Sequence, residues 1–321
     1  MIQRTDFEKK QILFVFTNKK EKLSISNQNI IVKDENGKIK HQSTCHRLYL
    51  VFIIGHMSIT TALIQKAKKY NFTICLMNTS MKMYELIGTK MEGNTLLRKA
   101  QYEYNGLDIG KGIISNKIHN QSLALGKIRK KSEKRQKIIE ELNNIKDKVI
   151  FTANTGQEIM GLEGQASKLY FSQIFEGIEW KRRVPRIKED YINSTLDIGY
   201  TVLFNFIESL LNIYGFDTYY GVLHKEFYMR KSLVCDLMEP FRSLIDYEVR
   251  KNINLKKFKK EDFILVNKQY QLKWENSPKY VSALAKPIIE NKEEIFLYLQ
   301  TYYRAFMKRK SIDGFPVYIM R

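Results

Sequence analysis

GVLHKEFYMRKSLVCDLMEPFRSLIDYEVR, residues 221–250, is the stretch on which the reading of this chain turns. Leu233, Val234, Leu237 and Met238 recur at helical spacing, so 233–250 is expected to be a helix. Two acids, Asp236 and Glu239, lie inside that apolar pattern, and His224 precedes them. A buried carboxylate is costly unless paired or metal-bound, so acids among these neighbours need a reason to be there. Their i,i+3 spacing puts both on one helix face. Pro240 either kinks the helix or opens a new one, whose dipole would then favour the acids just before it. Both geometries keep the carboxylates close. A solvated acidic pair beside an unrelated histidine is the plainer alternative.

Outward from this stretch the chain divides by period. From about Asn94 the pattern is helical: Ile113, Ile114, Ile118, Gln121 and Leu125 on one helix, with a charge-rich segment at 127–142 continuing or following it. Leu162, Ala166, Leu169, Tyr170 and Ile174 mark another, 192–212 a third stopped by Gly215, and 292–308 a late aromatic one. The first ninety residues read as strands at 12–16, 48–54, 72–77 and 83–87, with Asn36-Gly37 turning a hairpin and Ser58 capping one helix. The expected fold class is α+β: a small β-rich N-terminal domain, residues 1–92, then a larger all-α domain, residues 93–321.

The chain has 54 Lys+Arg against 34 Asp+Glu, a formal charge of +20. Such an excess draws a protein to polyanions, nucleic acid before an anionic membrane surface. The basic residues come in runs: Lys127–Lys137, then Arg182, Arg183 and Arg186 around Pro185, then 256–260 and 308–310. One run is usually a solvated face, but several neutralise phosphates additively. No apolar stretch has the length of a spanning helix, and no basic segment carries a broad apolar face, so no membrane partner is expected. No apolar signal region opens the chain, and Cys45, Cys75 and Cys235 read as reduced thiols; a cytoplasmic location is expected. No P-loop, GxGxxG or GxSxG motif occurs, and nucleotide hydrolysis and Rossmann redox chemistry are disfavoured.

A third acid joins the first two. Glu163 in GLEGQASKLYF, 161–171, is flanked by glycines that leave little bulk beside it, although an acid in a first helical turn is common. One imidazole and two or three carboxylates suit Mg²⁺ or Mn²⁺ and suit structural zinc poorly. Such an ion could act on a phosphodiester, and His224 could instead serve as general acid or base.

With these residues in place, the chain resembles the CRISPR-associated spacer-acquisition integrase, the universal adaptation enzyme of CRISPR systems. The likeness is carried by LEGQASKLYF at 162–171, RRVPRIKEDYINSTLDIGYTVL at 182–203, YGFDTYYGVLH at 214–224 and SLVCDLMEPFRSLID at 232–246. KIHNQ at 117–121 and SITTALIQKAKKYNFTICLM at 58–77 add to it. The resemblance implies a catalytic metal triad at Glu163, His224 and Glu239, with Asp236 supporting and Mg²⁺ or Mn²⁺ as cofactor. It places Arg242 in the family's basic helix, which joins Arg182, Arg183 and Arg186 of the second basic run as candidate DNA contacts. It further implies a prokaryotic homodimer that clamps a small ferredoxin-like partner subunit. Double-stranded DNA with 3′ overhangs or single-stranded ends would be inserted into CRISPR repeat DNA by 3′-OH attack. Residues 255–321 match loosely and receive no role. The rivals are a structure-selective nuclease acting outside an array and a non-catalytic DNA-binding scaffold of the same fold.

Overall fold

The computed structural model describes residues 4–17, 20–88, 91, 93–185, 187–224 and 228–321. After a short helix, α1 (Arg4–Glu8), come five strands: β1 (Gln11–Phe16), β2 (Lys22–Ser26), β3 (Asn29–Lys33), β4 (Ile39–Thr44) and β5 (Leu48–Ile54). Helix α2 (Thr61–Tyr70), β6 (Thr73–Met77) and β7 (Met83–Ile87) complete the β-rich part. The cap of α2 is Thr60, whose side chain accepts from Leu63 N, rather than Ser58.

The strands form two sheets. One has the order β1-β5-β6-β7, with β1, β5 and β6 parallel and β7 antiparallel; the other is the antiparallel meander β2-β3-β4. Every residue of β5 is buried, as expected of a central parallel strand covered on both faces. Its side chains alternate between two cores. Leu50, Phe52 and Ile54 join the core of the helical part, while Val51 and Ile53 pack with Ile30, Val32, Leu63 and Phe72.

The rest is mostly helical: α3 (Thr95–Glu103), α4 (Asp108–Gly126), α5 (Glu133–Phe151), α6 (Gly156–Ile174), α7 (Tyr191–Tyr214), α8 (Ser232–Met238), α9 (Arg242–Asn254), α10 (Ser277–Glu290) and α11 (Lys292–Met307). The α+β reading holds, with one addition, the hairpin of β8 (Phe263–Val266) and β9 (Gln269–Leu272). Helix α7 is buried almost all round and forms the axis of this part. Asp190 caps its start, and Gly215 ends it at φ 86°, where a Cβ would meet the Met91 carbonyl at 2.4 Å.

The helix expected over 233–250 is two helices. Pro240 lacks an N–H, so the chain tightens into a 3₁₀ turn at Glu239–Phe241 between α8 and α9.

The β-rich and helical parts share side chains. Tyr49 on β5 hydrogen-bonds Ser209 on α7 at 2.7 Å, and Phe7 on α1 stacks on Phe296 of α11 with ring centroids 4.3 Å apart. Among the described residues no helix is long and apolar enough to cross a membrane.

Candidate metal centre

Four segments meet at the candidate site. Helix α4 supplies Lys117, α6 supplies Glu163, the loop after α7 supplies His224, and the α8–α9 junction supplies Asp236, Glu239 and Arg242.

Asp236 is the anchor of the loop. It is fully buried, and its carboxylate accepts from the backbone N–H groups of Val222 (2.7 Å), Leu223 (3.1 Å) and His224 (3.2 Å). Three such donors satisfy the charge that burial would otherwise penalise. The same carboxylate faces His224 Nδ1 at 2.5 Å. With Nδ1–H donating there, the neutral ring carries its lone pair on Nε2, the arrangement a metal-ligating histidine uses. The loop approaches so closely that a Cβ on Gly221 would fall 2.7 Å from Asp236 Oδ2 and 2.8 Å from the His224 carbonyl.

Glu163 and Glu239 converge on one cation, the ammonium of Lys117. Its Nζ lies 2.5 Å from Glu163 Oε1 and 2.7 Å from Glu239 Oε2. Arg242 Nε adds a second contact to Glu239 at 3.0 Å. Burial alone would raise the Glu239 carboxyl, but the Arg242 and Lys117 charges outweigh it and hold it below the usual glutamate value. Burial works against the charge of Lys117 too, and the two glutamates reverse that effect, keeping it firmly protonated.

Behind this layer lies a buried network. Arg242 and Arg183 sit over the ring of Tyr200, at 4.8 and 5.3 Å from its centroid. The Tyr200 and Tyr170 hydroxyls both donate to Asp246, which burial raises to about 6 despite those bonds. Arg183 also donates to Asn193 at 2.9 Å and pairs with Asp197 at 2.5 Å.

The structure therefore brings Glu163 and Glu239 to one point and ties Asp236 to His224. Among the described residues it gathers no three His, Cys, Asp or Glu side chains into a ready cage for an ion. A test of fit comes from Lys117: its ammonium stands where two hard oxygen donors already hold a positive charge, and His224 is near enough to act electrostatically on Glu239. That donor set suits Mg²⁺ or Mn²⁺.

Of the arginines singled out for DNA, Arg182 is exposed, Arg183 and Arg242 are engaged in the buried network, and Arg186 lies outside the described residues. Sequence reasoning missed Lys117 and Asn120 as site residues. Their signal was the spacing in KIHNQ, which places both on one face of α4.

An α+β protein whose helical part pairs two carboxylates about a cation, beside an oriented histidine, is the class these observations define. A family model described as CRISPR associated protein Cas1 matches residues 13–286, and the chain belongs to that family. It is 31% identical over 226 residues to the CRISPR-associated endonuclease Cas1 1 of Thermodesulfovibrio yellowstonii, covering 67% of this chain and 71% of the relative. It is 25% identical over 316 residues to the CRISPR-associated endonuclease Cas1 2 of Rhodospirillum rubrum, covering 89% and 92%.

Solved structures share the fold. A Cas1 protein from Thermotoga maritima superposes with a TM-score of 0.76 at 19% identity, covering 97% of this chain and 100% of that one. A casposase bound to integration product gives 0.74 at 19% identity, with 97% and 94% covered. A chain of a Cas6-RT-Cas1–Cas2 complex gives 0.78 at 21% identity; this chain is covered over 98% and spans 36% of that longer chain.

Proposed function

We propose that this chain is a metal-dependent DNA endonuclease and integrase of CRISPR adaptation, joining a fragment's 3′-OH to a phosphodiester at the repeat. The observation that carries the reading is the convergence of Glu163 and Glu239 on one cation position, next to a histidine fixed by a buried aspartate. Support comes from relatives named as CRISPR-associated endonucleases and from the fold shared with a casposase bound to integration product.

In this reading Glu163, Glu239 and His224 Nε2 would hold Mg²⁺ or Mn²⁺. The chemistry such an ion supplies is polarisation of the phosphoryl oxygens and stabilisation of charge on the attacking and leaving oxygens. The chain's own residues prepare the place for it. Asp236 fixes the tautomer and direction of the imidazole, Arg242 steadies the Glu239 carboxylate, and Lys117 keeps the two acids together before loading. Lys117 and Arg242 leave positive charge beside a site that must receive an anionic backbone. Exposed basic residues such as Arg182 would hold the flanking DNA.

Residues 1–92 would serve dimerisation and contact with a small ferredoxin-like partner, as suggested by the neighbour that assembles with Cas2. The substrate would be double-stranded DNA with 3′ overhangs or single-stranded ends, in a prokaryotic cytoplasm.

The deciding experiment mixes labelled fragments, a supercoiled array plasmid, the partner subunit and each metal in turn. Wild-type protein joins fragments to the repeat only with divalent metal, and Glu163→Ala or His224→Ala binds DNA without joining it. Joining by Glu163→Ala would overturn the assignment.

A further inference from the structure

Residues beyond the family match, which ends at 286, reach back to the site. The segment from Pro316 to Met320 runs along α4 in extended form, with Tyr318 and Met320 buried and Val317 and Ile319 exposed. It is held by two buried asparagines one turn apart. Asn116 Nδ2 donates to the Tyr318 carbonyl at 2.6 Å, and Tyr318 N donates to Asn116 Oδ1 at 2.9 Å. Asn120 Nδ2 donates to the same carbonyl at 2.9 Å, and Met320 N donates to Asn120 Oδ1 at 2.8 Å. Two side-chain amides thus do for this segment what a neighbouring strand would do.

The same Asn120 Nδ2 also donates to the carbonyl of Pro240 at 3.1 Å, and Tyr318 packs its ring on Phe241 with centroids 4.6 Å apart. Pro240 and Phe241 follow Glu239 directly in the 3₁₀ turn. Lys117, which holds Glu239 from the other side, lies between the two asparagines on α4. Tyr318 is pinned from behind by its hydroxyl, which donates to Asn291 at 2.9 Å.

We propose that residues 316–320 are a clasp that positions Glu239, with Asn120 and Tyr318 as its positioning residues. Among the described residues, the segment's hydrogen bonds go to Asn116, Asn120 and Asn291 rather than to the acid pair itself. It locks α4 against the 3₁₀ turn, so the separation of Lys117, Glu163 and Glu239 is set partly from outside the matched region. The inference rests on the proposed role of Glu239, and its test has a readout independent of that role.

The test compares Tyr318→Ala, which removes the ring from Phe241, with Tyr318→Phe, which keeps the ring and loses only the bond to Asn291. Amide hydrogen exchange is followed at Glu239, Phe241 and Arg242, together with single-turnover joining at saturating DNA and the affinity for DNA. Tyr318→Ala should speed exchange at those amides and slow joining about 10- to 100-fold, as a misplacement of about 1 Å does. DNA affinity should stay within about twofold, since none of these substitutions removes a basic side chain. Tyr318→Phe should restore both readouts. If Tyr318→Ala fails to fold, Tyr318→Leu fills the buried volume and reports the same quantities.

Unchanged exchange at the turn in a folded Tyr318→Ala or Tyr318→Leu protein overturns the clasp, as does equal loss of joining and of DNA affinity. Absence of joining by wild-type protein would instead count against the proposed activity, and exchange at the turn alone would then decide the clasp.

Discussion

Lys117 Nζ stands 2.7 Å from Glu239 Oε2 while touching Glu163 at 2.5 Å, so one ammonium neutralises two acids carried by different elements. Without a positive charge at that point, Glu163 and Glu239 would repel across a largely buried gap. In the proposed reading, the lysine and a divalent ion would compete for one place.

Lys117→Met tests this competition. Removing one partner of a buried ion pair costs on the order of 3 kcal/mol. The metal-free variant should unfold at lower denaturant than wild type. Added Mn²⁺ should then recover most of the loss and stabilise the variant more than it stabilises wild type. Denaturant melts with and without Mn²⁺ measure both effects; equal Mn²⁺ stabilisation of the two proteins would refute the competition.

Asp236→Asn keeps the shape of the side chain but replaces one accepting oxygen with a donor. That oxygen faces backbone N–H groups, and the protein should lose about 1–3 kcal/mol. The ring of His224 would then face a neutral amide oxygen instead of a carboxylate, lowering metal affinity or joining about 10- to 100-fold. Gly221→Ala should act in the same direction, because its Cβ has no room beside Asp236 Oδ2. Calorimetric titration with Mn²⁺ and a stability curve separate the two effects.

Asp246 gives a pH dependence with a definite sign. Burial raises its folded value to about 6, above the ordinary aspartate value of 3.8. The folded state binds a proton in this window more readily than the unfolded chain does. The stabilisation is complete below the unfolded value and is lost as pH rises through about 6. Relative to Asp246→Asn, wild-type stability should therefore grow as pH falls from 7 to 4. The slope should not exceed about 1.4 kcal/mol per pH unit, the limit for a single proton. Unfolding free energies of both proteins across that range provide the check.

Arg182 and Arg183, adjacent in sequence, should behave differently. The Arg182 side chain is 77% exposed, so Arg182→Ala should lower DNA affinity evenly across sequences and reduce the salt slope by about 1. The Arg183 side chain is 11% exposed and bound to Asn193 and Asp197. Arg183→Ala should mainly lower the unfolding midpoint. Salt-dependent DNA titrations and melts of the two variants tell them apart.

Much of this was legible in the residues, for local reasons. The period of the apolar positions placed α6, α7 and α11, and Gly215 marked the end of α7 correctly because only a left-handed residue fits there. The break at Pro240 was half visible: proline announced a disturbance, but whether it kinks or divides a helix depends on tertiary contacts such as the Asn120 bond to its carbonyl. The hairpin of β8 and β9 escaped because two strands of four residues carry little periodicity. Lys117 escaped for another reason. A lysine in a basic protein looks solvated, and only the fold shows α6 and the α8–α9 turn closing over it. The pairing of Asp236 with His224, across a loop, was beyond any spacing rule.

The stacking of Phe7 on Phe296 bears on how the chain is made. Phe7 can meet Tyr49 early, with ring centroids 4.9 Å apart in the folded protein, but its stacking partner Phe296 is synthesised only long afterwards. Tyr49, on the face of β5 that belongs against the helices, meets Ser209 and Phe206 of α7 before α11 is made. That face therefore stays bare until α7 emerges, and a nascent chain stalled before that point would present it for self-association.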